Sequence, residues 1–124
     1  MREYDIHISD ILCLARISNN LVETIHPFTV NVDGDAITVP AGFISNGNST
    51  PRPLWTVIPP LAGPYGEAGI VHDYLYDKMS GDKYNRLESD KIHFSMGRYR
   101  GANLLNALTI YQALRAFGRQ FWKR

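Results

Sequence analysis

Two runs in the first half of the chain alternate apolar and polar residues with the period of a half-buried β-strand. The first is Phe28–Val32, the second covers residues 36–39, and Asp33-Gly34-Asp35 lies between them. An Asp-Gly pair in this position predicts an antiparallel β-hairpin, because Gly accepts the positive φ that tight hairpin turns require. Pro40 cannot donate to a sheet ladder, so we expect the second strand to end there or to lie at a sheet edge.

Residues on both sides of the hairpin are less regular. An earlier strand is predicted within residues 21–25, whereas residues 11–17 fit either a strand or a helix. Residues 46–66 are rich in Gly and Pro but also carry Leu54, Trp55 and Ile58. These apolar residues predict a long ordered loop, and loops of this length in compact domains are often functional.

The second half of the chain has the apolar spacing of three helices. The first is predicted over residues 67–79, stopped by Ser80-Gly81, and is apolar on most of its circumference, which indicates burial on several sides. The second covers about residues 85–98. The third begins near Asn103, a preferred N-cap residue type, and runs to about Trp122.

The third predicted helix has two different edges. An apolar stripe recurs at steps of three and four: Ala107, Ile110, Leu114, Phe117 and Phe121. The opposite edge carries cations at i, i+4 and i+8: Arg115, Arg119 and Lys123. We expect this cationic edge to be solvated, with its charges close to the helix C-terminus where the dipole favours them.

Length and composition indicate one globular domain spanning residues 1–124. At 44% hydrophobic and 20% charged, the chain can bury one modest core. We expect an α+β fold that is mainly β over residues 1–45, an ordered loop over 46–66 and helical over 67–124. The net charge of +1 gives no clear case for nucleic-acid binding, and a single cysteine excludes a disulfide framework. No run approaches the roughly 20 apolar residues of a transmembrane segment.

Three polar side chains stand on the largely apolar first helix. His72 and Tyr76 are four residues apart and Asp73 and Tyr76 are three apart, so all three are predicted to share a face. One interpretation is that they are buried groups whose hydrogen bonds tie the long loop to the helices. The other is a catalytic site in which His72 is a general base and a carboxylate either orients it or binds a metal ion.

Asp90 on the second helix adds a second carboxylate with two alternative partners. If the first two helices pack as a hairpin, Asp90 approaches His72 and fixes the tautomer of its imidazole. Otherwise Asp90 is a solvated residue that pairs with Arg86 at i−4. His93 is expected at the surface or in helix packing.

The long loop supplies candidate substrate-binding residues. Asn46, Ser49 and Arg52 combine side-chain donors with an intervening glycine, which suits a cradle for a phosphate or a carbonyl oxygen, or else a series of tight turns. Tyr65, just before the first helix, joins them as a candidate. Ser49 lacks a Gly-x-Ser-x-Gly context, so a serine nucleophile is not expected.

The pattern His-Asp-x-x-Tyr at residues 72–76 resembles the helix motif of phospholipases A2. In those enzymes the histidine activates water and the adjacent aspartate holds calcium. The resemblance therefore implies that His72 is the base and that Asp73 is a ligand of a divalent metal, with calcium and zinc both open. Only residues 63–66 could correspond to the glycine-rich calcium loop of those enzymes, and their disulfides have no counterpart here.

A longer resemblance, from about Val39 to the C-terminus, is to a phage and prophage family named only as domain of unknown function 1353. It is carried by several motifs in order: residues 39–43, Ser49 with Pro51-Arg52, Leu54-Trp55, Pro59-Pro60, Tyr65 and residues 71–76. Asp90 matches the family's second-helix acid, whereas Asn46 replaces an acid that the family's loop usually carries. The resemblance implies a viral origin, with the protein in the host bacterial cytoplasm or in the virion.

Three functions follow as hypotheses. The first is a small hydrolase with His72, Asp73, Asp90 and Tyr76 as catalytic residues. The second is a non-enzymatic virion component or assembly factor of the tail or baseplate, whose partners are other phage proteins. The third is a protein that binds a bacterial host component, for example to counter host defence.

Overall fold

The computed structural model describes residues 3–18, 21–45, 63–81 and 83–123. Within these ranges the strands are β1 (Ile6–His7), β2 (Leu14–Arg16), β3 (Val22–Thr24), β4 (Phe28–Val32), β5 (Asp35–Val39) and β6 (Ile44–Ser45). The α-helices are α1 (Gly66–Tyr76), α2 (Arg86–Tyr99) and α3 (Leu104–Phe117). The predicted α+β class is confirmed, with strands in the N-terminal half and helices in the C-terminal half.

The predicted hairpin is formed by β4 and β5. Val32 pairs with Asp35, so Asp33 and Gly34 make a two-residue turn, and their φ values are 51° and 83°. Two successive positive φ values match the twist of the flanking strands, which is why Asp-Gly suits this position. The second strand ends before Pro40, as predicted.

The strands of the described ranges form two antiparallel three-stranded sheets. One has the order β1-β4-β5, with β5 at its edge, and the other has the order β2-β3-β6. The strand predicted within residues 21–25 is β3, and residues 11–17 contain a strand, β2, rather than a helix.

The main core lies between the β4–β5 hairpin and helices α1 and α2. The hairpin buries alternate residues: Phe28, Val30, Val32, Ile37 and Val39. Ile70 and Val71 of α1 and Ile92 of α2 are fully buried in the same cluster. Each such side chain contributes about 1.5–3 kcal/mol of burial free energy, so this packing sets the position of α1 and α2.

The helix ends follow local capping. Asn85 and Glu88 form a capping box at the start of α2. Asn103 is the N-cap of α3, as predicted. The first helix is shorter than predicted, because α1 ends at Tyr76 and a 3₁₀ turn, Lys78–Ser80, follows. Asp77 caps that turn by accepting a hydrogen bond from the backbone N–H of Met79.

The prediction for the third helix is wrong at its C-terminal end. The α-helix stops at Phe117 and continues as a 3₁₀ turn, Gly118–Phe121. Ala107, Ile110 and Leu114 are buried as expected, but Phe117, the last residue of the α-helix, is 61% exposed. No helix in the described ranges is long and apolar enough to cross a membrane.

Candidate functional site

Asp90 lies at the centre of a buried polar cluster that joins the three helices. His72 Nε2 is 2.7 Å from Asp90 Oδ1, and the Tyr76 hydroxyl donates to the same oxygen at 2.5 Å. Arg115 Nη1 donates to Asp90 Oδ2 at 2.7 Å. The predicted approach of Asp90 to His72 is therefore observed. The alternative, a solvated Asp90 paired with Arg86, is wrong because Asp90 is fully buried.

The charge on Asp90 determines the tautomer of His72. Burial alone raises the pKa of Asp90, but the hydrogen bond and charge of His72 and the hydrogen bonds from Tyr76 and Arg115 outweigh burial and lower it. An ionised carboxylate only accepts hydrogen bonds, so Nε2 of His72 carries the hydrogen. In the neutral ring Nδ1 then holds the lone pair. This Nδ1 atom is buried and has no hydrogen-bond partner among the residues that the structure describes.

The Tyr76 hydroxyl stays protonated. Burial raises its pKa, and the nearby Asp90 carboxylate raises it further. The hydroxyl therefore keeps its hydrogen for Asp90 and accepts a hydrogen bond of 3.2 Å from Nε of Arg86. After the 3₁₀ turn, Trp122 packs edge-on against the Tyr76 ring, with centroids 5.0 Å apart.

Arg86 donates hydrogen bonds to the C-terminal end of α3. Its Nη2 donates to the backbone oxygens of Leu114 at 2.6 Å and of Arg115 at 2.9 Å. The last turn of an α-helix leaves backbone carbonyls short of donors, and Arg86 adds a donor to two of them. The Leu114 oxygen also accepts from the backbone N–H of Gly118. Gly118 allows this approach, because a Cβ atom there would lie 2.9 Å from the Tyr76 hydroxyl and 3.3 Å from Arg86 Nη2.

His93 is a member of the cluster that sequence reasoning did not assign to it. Its ring stacks on Tyr65 at 5.5 Å between centroids and meets the His72 ring edge-on at 5.1 Å. Burial lowers the pKa of His93 to about 3, so the ring is neutral. In the described ranges its Nδ1 also lacks a hydrogen-bond partner. The signal that could have identified His93 is its i+3 spacing from Asp90 on α2.

Tyr65 is buried between α2 and α3. Its hydroxyl donates to Asn106 Oδ1 at 2.9 Å, and its ring occupies space that only a glycine at position 97 leaves open. A Cβ atom on Gly97 would lie 2.3 Å from the ring. The structure thus places Tyr65 in helix packing beside His93, while its predicted role in substrate binding stays a prediction.

Asp73 is separated from the other two polar residues of α1. Its carboxylate accepts a hydrogen bond from the Ser45 hydroxyl on β6, whereas His72 and Tyr76 bond to α2. Asp73 lies about 100° around α1 from His72 and therefore engages a different neighbouring element, β6 instead of α2. The predicted loop residues Asn46, Ser49 and Arg52, like the ordered loop itself up to residue 62, lie outside the described residues.

A cavity of about 540 Å³ lies at the other end of α1. Its walls include Asp10, Leu14, Glu67 and Arg100, and none of the clustered residues lines it. The Arg100 guanidinium makes two hydrogen bonds to the Glu67 carboxylate at this cavity. The cavity is therefore distinct from the His72–Asp90 cluster.

A protein-family model described as "Protein of unknown function (DUF1353)" matches residues 22–114. The match covers most of the chain, includes both His72 and Asp90, and ends one residue before Arg115. Comparisons with curated proteins and with solved structures found no match.

Proposed function

This chain belongs to the DUF1353 family of proteins of unknown function, and we propose that it is a hydrolase in which His72 acts as the general base. One observation carries the proposal. Asp90 engages Nε2 of His72, whereas the buried Nδ1 has no hydrogen-bond partner within the described part of the chain. In a histidine general base, a carboxylate bonds to one imidazole nitrogen and the other nitrogen accepts a proton.

The proposed reaction is attack by water on an ester. Nδ1 of His72 accepts a proton from the water, and the resulting hydroxide attacks the carbonyl carbon or phosphorus of the substrate. Asp90 stabilises the imidazolium that forms through the bond to Nε2. The imidazolium then returns the proton to the leaving oxygen, so His72 ends the cycle neutral.

A divalent cation at Asp73 belongs to the same proposal. Asp73 and Ser45 offer only oxygen atoms, a donor set that suits calcium better than zinc. Among the residues that the structure describes, no group of three or more His, Cys, Asp or Glu side chains could hold a metal ion. Backbone carbonyls or water would therefore have to complete the coordination, and the cation would polarise the substrate oxygen.

The experiment compares His72→Gln with wild type on p-nitrophenyl acetate and on bis(p-nitrophenyl) phosphate, with and without calcium. The amide of glutamine can still donate to Asp90, but the side chain offers no basic nitrogen at the position of Nδ1. We expect hydrolysis to fall by about 10²–10⁴-fold with little change in the thermal midpoint. His7→Gln changes an exposed histidine and should keep the wild-type rate. The proposal would be rejected if His72→Gln hydrolysed the substrates at the wild-type rate. It would also be rejected if the wild-type protein hydrolysed neither substrate.

A viral origin and a non-enzymatic role in the virion form the second proposal. It is supported by the burial of His72, which is only 1% exposed and so has the environment of a structural residue. A structural protein should be present at a fixed copy number in purified particles. Quantitative mass spectrometry of particles from the encoding phage tests this, and absence from the particles would exclude it.

A further inference from the structure

The cavity at the N-terminal end of α1 has a wall of aliphatic side chains. Its volume of about 540 Å³ lies within the range of about 300–1,000 Å³ that is usual for small-molecule sites. The aliphatic wall consists of Ile11, Leu12, Leu14 and Pro64. Leu12 and Leu14 also pack against the main core, which fixes their positions. Ile11 is 78% exposed, so a ligand that covered it would remove apolar surface from water.

The charged residues of the cavity come from three separate segments. Asp10 lies between β1 and β2, Glu67 lies in the first turn of α1, and Arg100 directly follows α2. The Asp10 carboxylate accepts hydrogen bonds from the backbone N–H groups of Ile11 and Thr29, both at 3.0 Å. Because Thr29 belongs to β4, the β4–β5 hairpin holds this carboxylate at the cavity.

The charges of the cavity wall do not cancel. Arg100 donates two hydrogen bonds to Glu67, through Nε and Nη2, and so neutralises that carboxylate. The partial positive charge at the start of α1 also acts on Glu67, the acid of its first turn. Asp10 makes no ion pair with any residue that the structure describes. Two carboxylates and one guanidinium therefore leave one negative charge on the wall, at Asp10.

We propose that this cavity binds a small organic cation of the primary alkylammonium type. The ammonium group donates hydrogen bonds to the Asp10 carboxylate, which can accept more than its two bonds from the backbone. The alkyl chain lies along Leu12, Leu14 and Pro64. The ligand thus matches both the charge and the aliphatic wall. The site is separate from the buried polar cluster of the three helices, so it does not depend on the proposed hydrolysis.

An anion of the same shape fits this cavity less well. Arg100 would be its partner, but two nitrogens of the guanidinium already bond to Glu67. The anion would also approach the negative charges of Glu67 and Asp10. An uncharged ligand gains only from the aliphatic wall. Ligands that share one alkyl chain and differ in charge therefore distinguish the three cases.

The test titrates three such probes into the ¹⁵N-labelled protein at pH 7 and low salt. The probes are n-hexylammonium chloride, 1-hexanol and sodium heptanoate, and the backbone amide signals of Leu12, Leu14 and Gly66 report binding. We expect hexylammonium to have a dissociation constant about five-fold below that of hexanol, because one ion pair in contact with water contributes about this factor. Heptanoate should bind more weakly than hexanol.

Two variants with matched chemistry identify the charge that is responsible. Asp10→Asn removes the charge but keeps one oxygen acceptor for the backbone, so hexylammonium should bind no more tightly than hexanol. Asp5→Asn is the control, because it removes an exposed carboxylate that does not line the cavity. In Asp5→Asn the preference for the ammonium should remain.

Equal binding of hexylammonium and hexanol to the wild-type protein would overturn the inference. Unchanged spectra with all three probes, or tighter binding of heptanoate, would overturn it as well. If Asp10→Asn does not fold, Arg100→Gln decides, because it removes a cation and leaves both carboxylates at the cavity. Hexylammonium should then bind about five-fold more tightly than to wild type. Unchanged or weaker binding to Arg100→Gln would again overturn the inference.

Discussion

His72 and Asp90 are joined across α1 and α2 by a 2.7 Å contact between Nε2 and Oδ1, and neither side chain is exposed. The carboxylate uses this oxygen for α1 and its other oxygen for Arg115 on α3. Asp90 therefore links all three helices while it orients the candidate base. A change at Asp90 should affect both the stability of the fold and the proposed chemistry.

Removing the carboxylate should destabilise the protein strongly. Asp90→Ala leaves His72 Nε2 and the Tyr76 hydroxyl without an acceptor and leaves Arg115 without its counter-ion. We expect a loss of about 3 kcal/mol in the free energy of unfolding, at the lower end of the range for breaking a buried pair because Arg115 is partly solvated. Urea unfolding measures it. Asp5→Ala removes an exposed carboxylate and should change the same quantity by no more than about 0.5 kcal/mol.

The neutral His93 should make the protein less stable in acid. Its pKa is about 3 in the folded protein but 6.5 in the unfolded chain, so between these values only the unfolded chain takes up the proton. Stability that is fully present above pH 6.5 should therefore be lost as the pH falls, by about 1.4 kcal/mol per pH unit. His93→Phe keeps a ring against Tyr65 but cannot titrate.

Unfolding free energies measured between pH 7 and pH 4 compare the two proteins. The stability of wild type should fall more steeply than that of His93→Phe over this range. The lower limit of pH 4 keeps the comparison above the pH at which Asp90, whose pKa is lowered, loses its charge. Parallel curves for the two proteins would mean that His93 does titrate in the folded state.

Gly118 should be sensitive to a single methyl group. Gly118→Ala places a Cβ atom 2.9 Å from the Tyr76 hydroxyl, which cannot move without breaking its bonds to Asp90 and Arg86. We expect a loss of about 1–3 kcal/mol in thermal or urea unfolding. Gly69→Ala in α1 is the control, because nothing lies within 4 Å of its Cβ position. That variant should gain about 0.5–1 kcal/mol from the helix propensity of alanine. Equal stability of the two variants would contradict the contact.

Short-range patterns predicted most of the elements correctly. Asp33-Gly34 specified the hairpin turn through backbone conformation, and Asn103 specified the start of α3 through side-chain capping. These signals act within a few residues, so they can be recognised along the chain. The end of α3 was not predicted, because Phe117 continues the apolar spacing although the helix stops there.

The part of the candidate site that depends on short-range spacing was also predicted. Periodicity placed His72 and Tyr76 on one face, and a hairpin of α1 and α2 was already one of the arrangements considered for Asp90. Arg115 was expected to be solvated, since it belongs to a cationic edge in the sequence. Its partner lies 25 residues away, and only the packing of α3 on α2 brings the two together.

The sequence by itself therefore determined that α1 is an apolar helix with polar residues on it, because three- and four-residue spacing is set by the geometry of a single helix. Only the tertiary structure decided which hydrogen-bond partner each of these polar residues has. Asp73 turns to Ser45 on β6, whereas His72 and Tyr76 turn to Asp90. The physical reason is that a buried polar group must find a partner within hydrogen-bond distance, and the sequence alone does not tell which distant segment supplies it.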